Sequence, residues 1–393
     1  MEYSKHMNNI KASEIREILK LTQKPNIISF AGGLPAPELF PTEEMKEIVQ
    51  DIMDTDGQSA LQYSTTAGYE PLRKEIIKMM KNKNIENINQ DNVLITSGSQ
   101  QGLNFSGKIF LNKDDIVLVE SPSYLGAINA FRANEGNFIE IETDNNGMIM
   151  NDLEEKIKNN KNVKMIYVIP DFQNPSGKTW SLERRKKLIK IGNKYDLPII
   201  EDNPYGKLRY EGEAIDPIKA FDTEDRVIYL GTFSKTFCPG LRIGWVLASD
   251  EIVNKYNLVK QGADLHTSSL AQREIYKFLT NYDFDAHIKK LIEVYKKRRN
   301  IMLDSMEKYF PDNTKYNVPK GGLFTWVVLP EYIDTKKMMQ EAVDKGVAYV
   351  PGESFYPSGT TKNAMRLNFS NMNEEKIAEG IEVLGDVIKN NIK

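Results

Sequence analysis

Cysteine is almost absent from this 393-residue chain: Cys238 stands alone, so no internal disulfide framework can form and a reducing compartment is the default. Histidine is also scarce. His6, His266 and His287 lie far apart, and no metal-ligand spacing is present. Neither sign of charge dominates: 52 basic side chains face 55 acidic ones, which gives no broad positive field for nucleic acid or an anionic membrane. No stretch approaches the roughly 18 apolar residues that a membrane span requires, and the N-terminal MEYSKHMNNI is polar. Repeats, low-complexity linkers and the GxGxxG and Walker patterns are missing as well. What remains is a soluble, cytoplasmic, globular protein, long enough for about two to three domains and a sizeable core.

The positive signal is an alternation of short β-branched runs with amphipathic stretches. Strands are predicted at Val93–Ile95, Ile116–Val119, Phe138–Ile141, Lys164–Ile169, Leu197–Ile200 and Val227–Leu230, with helices between them. This order implies a doubly wound, mainly parallel sheet, whose ligand crevice lies outside the strand carboxyl ends. Beyond Ala248 the pattern turns helical, with a long charged helix from about Asp285 to Tyr309. A smaller α+β unit follows: strands Leu323–Leu329, Val347–Val350 and Met365–Phe369, and helices Thr335–Lys345 and Glu374–Ile388. The expected division is an N-terminal arm over residues 1–41, a large domain over 42–290 and a small C-terminal domain over 291–393.

In the arm, Ile15, Ile18, Leu19 and Thr22 predict a short amphipathic helix with Ser13 as N-cap and Arg16 at the edge of its apolar stripe. A strand at Ile27–Phe30 runs into Gly32 and Gly33, and a helix is expected from about Glu43 to Met53. A further helix begins near Pro71 and turns Leu72, Ile76, Ile77 and Met80 inward.

The predicted strand ends carry the chemistry. Val93–Ile95 opens into Thr96-Ser97-Gly98-Ser99-Gln100-Gln101-Gly102, a small-residue turn ahead of a helix, where free backbone N–H groups suit an anion. Val227–Leu230 ends in Gly231-Thr232-Phe233-Ser234-Lys235, with Arg242 after the turn Pro239-Gly240. Two hydroxyls and an arginine make a phosphate grip, and a lysine beside it can condense with a cofactor aldehyde. Other strand ends deliver Asn174 and the run Asp202-Asn203-Pro204-Tyr205. Arg366 lies inside an otherwise apolar strand and asks for a carboxylate, its own or a ligand's.

Taken in order, Ser97-Gly98-Ser99-Gln100-Gln101, Pro122-Ser123-Tyr124, Asn174-Pro175-Ser176-Gly177, Asp202-Asn203-Pro204-Tyr205, Ser234-Lys235 with Arg242, and Arg366 resemble fold-type I pyridoxal-phosphate aminotransferases. Ala12-Ser13-Glu14-Ile15-Arg16, Phe30-Ala31-Gly32-Gly33-Leu34-Pro35 and Gln261-Gly262-Ala263-Asp264-Leu265-His266 resemble the 2-aminoadipate and aromatic amino acid group in particular. The resemblance implies pyridoxal 5'-phosphate as cofactor, with Lys235 as covalent anchor and proton carrier and Asp202 paired to the ring nitrogen. It implies Asn174 and Tyr205 on the ring's phenolic oxygen and Tyr124 stacked on its face. The phosphate would be held by Ser99, Gln100, Thr232, Ser234 and Arg242, Thr232 standing where serine is more usual.

The same resemblance makes Arg366 and Asn174 the holders of the substrate α-carboxylate, and Gly33 a lining of the pocket. Arg16 and Ser13 cap the substrate. Tyr63 would reach the phosphate of a neighbouring subunit, which implies a homodimer. The expected reaction moves an amino group from an L-amino acid (2-aminoadipate, aromatic or branched-chain) to 2-oxoglutarate by a ping-pong route. A lyase or decarboxylase on the same fold is an alternative. A regulator with this domain would need a basic DNA-binding segment ahead of signatures that begin at about Ala12.

Overall fold

The computed structural model describes residues 26–392, together with Glu2, Tyr3 and Met7. Ser13, Arg16 and the helix expected around them lie outside the described residues. In chain order the elements are β1 (Ile28–Ser29), α1 (Thr42–Ala60), α2 (Glu70–Lys81), β2 (Val93–Thr96), α3 (Ser99–Phe110), β3 (Ile116–Glu120), α4 (Leu125–Ala133) and β4 (Asn137–Ile141). A small hairpin, β5 (Thr143–Asp144) and β6 (Gly147–Met148), leads to α5 (Met150–Asn159), β7 (Val163–Val168), α6 (Leu182–Tyr195), β8 (Ile199–Asp202), β9 (Val227–Thr232) and β10 (Gly244–Leu247). Then come α7 (Asp250–Gln261), α8 (Ser269–Asn281), α9 (Phe284–Tyr309), β11 (Lys315–Tyr316), β12 (Phe324–Val328), α10 (Thr335–Asp344), β13 (Val347–Ala348), β14 (Val350–Pro351), β15 (Ala364–Asn368) and α11 (Glu374–Asn391).

A seven-stranded sheet in the order β2-β10-β9-β8-β7-β3-β4 forms the centre. Apart from the edge strand β4, which is partly exposed, its strands are rich in Val, Ile and Leu and largely buried on both faces, as a sheet covered by helices on both sides requires. Every pairing is parallel except those of β10, which runs antiparallel to both β2 and β9. This strand is absent from the sequence reading. It opens on Gly244 straight after a turn and holds one β-branched residue, Val246, so no β-branched run marks it. Its direction matters, because the start of β10 lies among the carboxyl ends of its neighbours, with Gly244 opposite Thr232 and Thr96.

The second sheet, β11-β12-β15-β14, is antiparallel and lies in the C-terminal part of the chain. The expected strand Val347–Val350 is two strands: β13 pairs with β1, whereas β14 pairs with β15. Between them, Tyr349 is buried and donates its hydroxyl to Thr335 O at 2.6 Å, so the chain changes partner around one anchored ring. Helix α1 runs past the expected Met53 to Ala60, with a break at Asp56 (φ −142°, ψ 19°), whose carboxylate takes the Arg273 Nε–H at 2.6 Å. The break falls at the Asp56-Gly57 pair, a local turn signal, and an ion pair from another helix holds it. Among the described residues no helix is long and apolar enough to cross a membrane.

Candidate active site

The carboxyl ends of β2, β7, β8 and β9 and the start of β10 converge on one cavity of about 240 Å³. Every expected cofactor contact except Tyr63 lines it, joined by Ile169 and Pro204. Tyr63 is 80 % exposed, its ring edge against His266 at 5.9 Å, on the surface of this chain.

The anion end is built from backbone. Gly98 precedes α3 with φ 74°, and a Cβ placed there would lie 2.3 Å from Arg242 Nη2. Glycine is therefore needed for both the positive φ and the close approach. The first N–H groups of α3, at Ser99 and Gln100, have no partner within the helix and point toward an anion. The Gln100 side chain spends one of its two amide N–H groups on Gly126 O at 2.9 Å, so the expected phosphate contact falls chiefly to its backbone. Opposite, Thr232 Oγ1 lies 2.9 Å from Ser234 Oγ, and Arg242 Nη1 donates to Ser234 Oγ at 3.2 Å. Arg242 takes a left-handed backbone (φ 56°) just before β10, and the antiparallel run of that strand brings it to this end.

The middle of the cavity holds the titratable groups. Asp202 ends β8 and is buried; Tyr167 Oη donates to its Oδ2 at 3.0 Å, while Oδ1 is buried with no partner. Burial raises its pKa to about 7, against the opposing pull of the Tyr167 hydrogen bond and Lys235. Lys235 Nζ donates to Gly33 O at 2.8 Å. Burial, then the charges of Arg366 and Arg242, lower its pKa to about 8. An amine so placed is partly neutral near neutral pH, as a nucleophile or base must be. Asn174 Nδ2 donates to Tyr205 Oη at 3.3 Å, and burial drives the Tyr205 hydroxyl well above the usual phenol range.

At the far end Arg366 comes from β15 of the second sheet and is 2 % exposed. It donates to Asn174 Oδ1 at 2.8 Å and to Ala31 O at 2.6 Å, while its Nε is buried without a partner. The guanidinium lies over the Phe324 ring at 4.2 Å and the Phe355 ring at 5.1 Å. Burial lowers its pKa to about 10, and no carboxylate among the described residues opposes this. Gly33 sits tight on Phe324, where an added Cβ would come within 2.8 Å of the ring. Tyr167 was outside the expected set, since a tyrosine within a buried strand reads as core; only its place beside the end of β8 distinguishes it.

These donors suit one kind of group: a phosphate dianion at the helix start, an aldehyde at Lys235, and a basic ring nitrogen at the partnerless Oδ1 of Asp202. Fold and donor set together define a pyridoxal-phosphate-dependent enzyme of fold type I. The chain belongs to the class I and II aminotransferases, whose family model matches residues 36–384. It is 47 % identical to aromatic-amino-acid aminotransferase 1 of Thermococcus litoralis, over 100 % of this chain and 96 % of that one. It is 40 % identical to 2-aminoadipate transaminase of Thermus thermophilus, over 98 % and 96 % of the two chains. Among solved structures, kynurenine aminotransferase of Pyrococcus horikoshii, in complex with PMP and kynurenine, superposes with a TM-score of 0.95. The two are 46 % identical, and the match covers 100 % of this chain and 98 % of that one.

Proposed function

We propose that this aminotransferase takes the amino group from an L-amino acid with an aromatic, 2-aminoadipate-like or branched-chain side chain and passes it to 2-oxoglutarate. The donor's keto acid leaves before 2-oxoglutarate enters. One observation carries the reading: among the described residues, two buried groups of opposite charge, Asp202 Oδ1 and Arg366 Nε, have no partner, and both act on Lys235, whose pKa is lowered. Relatives acting, by their names, on aromatic amino acids, 2-aminoadipate and kynurenine support the donor class.

When bound, pyridoxal phosphate supplies an electron sink for the substrate's Cα. Its phosphate would lie on the Ser99 and Gln100 amides, the Thr232 and Ser234 hydroxyls and Arg242, with Tyr124 against the ring and Tyr205 and Asn174 on its phenolic oxygen. Asp202 would hold the ring nitrogen protonated. Arg366 and Asn174 clamp the α-carboxylate of either substrate; the planar fork fixes which bond at Cα points at Lys235. Lys235 Nζ, half-buried and able to be neutral, would take the proton from Cα and hand it to the carbon that the cofactor's aldehyde supplies. Burial of the Arg366 end keeps water from the reacting atoms.

Finer parts of the proposal are a homodimer, in which Tyr63 reaches the phosphate of a second copy, and Arg16 and Ser13 as a cap over the substrate side chain. Leu61 and Leu265, exposed like Tyr63, support a covered face here. A division near residue 290 into large and small domains, with residues 1–41 joining the smaller one, accords with the pairing of β1 and β13. The test is a donor panel against 2-oxoglutarate, scored by keto acid formed. Parallel-line kinetics with glutamate appearing in step with the keto acid are expected; release of carbon dioxide or free ammonia would overturn the reading. Arg16→Ala should weaken 2-aminoadipate more than leucine or phenylalanine.

A further inference from the structure

Tyr167 touches the site through a single atom. Along β7 the side chains alternate, Met165, Tyr167 and Ile169 packing into the main core and Ile166 and Val168 into the other face. The Tyr167 ring stands edge-on to Phe131 at 5.6 Å, and its hydroxyl meets Asp202 Oδ2 on the adjacent strand at 3.0 Å. With Oδ2 taken, the open acceptor of Asp202 is Oδ1, buried and without a partner. We propose that Tyr167 is a positioning residue: its O–H fixes the Asp202 carboxylate with Oδ1 presented to the cofactor's ring nitrogen and favours the ionised carboxylate there. This rests on the reading that Asp202 meets that nitrogen.

A buried carboxylate with nothing to donate to it keeps its proton, and a protonated acid is a poor partner for a ring that must stay cationic. The titratable groups facing Asp202 are Tyr167 on β7, Lys235 beyond β9, Tyr205 beyond β8 and Tyr229 within β9. Lys235 is the cation among them, and it has its own chemistry with substrate and cofactor. Tyr167, buried and far above its ordinary pKa through burial, is a donor whose proton stays in place throughout.

The test uses the apo-protein, titrated with pyridoxal phosphate and with its 1-deaza analogue, which carries C–H in place of the ring nitrogen. Tyr167→Phe keeps the ring on Phe131 and deletes the donor. It should weaken pyridoxal phosphate by about tenfold, the loss expected for a hydrogen bond to a charged group, and the analogue by less than about twofold. The ratio of the two constants within one variant does not depend on the folded fraction. Tyr167→His, which keeps a ring donor, reads the same ratio and should recover part of the preference. Asp202→Asn, run beside them, should lose that preference by itself, and adding Tyr167→Phe should then cost nothing more. Equal weakening of both ligands by Tyr167→Phe, or a further loss in the Asp202→Asn background, would assign Tyr167 to packing and overturn the proposal. If Asp202→Asn leaves the preference intact, the failure lies with the Asp202 reading.

Discussion

Two sets of buried charges lie behind the same strand ends and differ in how the buried carboxylate is met. Asp171 receives Arg185 at 2.8 and 3.2 Å, Arg209 at 3.1 Å and Asn203 at 2.9 Å; Arg185, with 0 % exposure, spends further N–H groups on Pro170 O and Asp216 O. Burial alone would raise Asp171, yet the Arg185 and Arg209 guanidiniums hold its carboxyl below the ordinary value. Asp202, which lines the cavity, and Arg366, bonded to Asn174 of its lining, are as deeply buried, but among the described residues no opposite charge is bonded to either, and burial moves Asp202 up to about 7 and Arg366 down to about 10. In the first set both oxygens of Asp171 are met by cations, although Arg209 Nε is buried without a partner, and the paired charges tie loops together. An acid with an open oxygen and no bonded cation carries an energetic penalty that a ligand of complementary charge relieves.

The contrast can be broken at several points. The largest effect is expected at Lys235, where Lys235→Ala should lower turnover by at least about a thousandfold because nucleophile and proton carrier are lost together; the assay is single-turnover keto acid formation. At Arg366, Arg366→Gln should cost about a hundredfold or more in kcat/KM for every amino donor, with little change in melting temperature, since no partner charge is stranded. Arg185→Met should do the opposite: the stranded Asp171 carboxylate costs about 3–5 kcal/mol of stability by denaturant titration, while protein that remains folded keeps its KM.

A pH experiment sharpens the comparison further. The folded pKa of Asp202 lies above the 3.8 of a free aspartate, so the apo-protein binds an extra proton between about 4 and 7 and loses stability as pH rises through that window. Asp202→Asn should therefore stabilise the apo-protein at pH 8 by on the order of 2–4 kcal/mol, with no gain near pH 4. For Asp171 the sign is reversed, since a lowered carboxyl contributes stability that is lost as pH falls through its folded pKa. The smallest effect is expected at Gly98→Ala, where a Cβ 2.3 Å from Arg242 and the positive φ should weaken cofactor binding about tenfold through the phosphate; equilibrium dialysis checks it.

Much of this was legible in the chain. The parallel strands announce themselves because strands buried on both faces need continuous Val, Ile and Leu. The groups at their carboxyl ends could be collected without coordinates, because parallel connectivity sends all those ends to one side of the sheet. What escaped was of another kind. β10 opens on a glycine and holds one β-branched residue, so nothing marks it as a strand, yet its antiparallel run carries Arg242 to the anion end. The split at Tyr349 is accompanied by a hydrogen bond to Thr335, and the carboxylate at the α1 break is held by an arginine 217 positions away. Tyr167 looks like any core tyrosine until strand β8 is laid beside it.

By itself, then, the sequence determined the residue types, their order along the chain and the periodicities that make a doubly wound sheet, because these are local properties. Only the tertiary structure decided which polar atoms are satisfied and which are left open. Arg366 reaches Asn174 across 192 positions and Ala31 across 335, and Tyr167 takes one oxygen of Asp202 and leaves the other. Hydrogen bonding and burial depend on distances between segments remote in the chain, and those distances exist only once the strands have taken their neighbours.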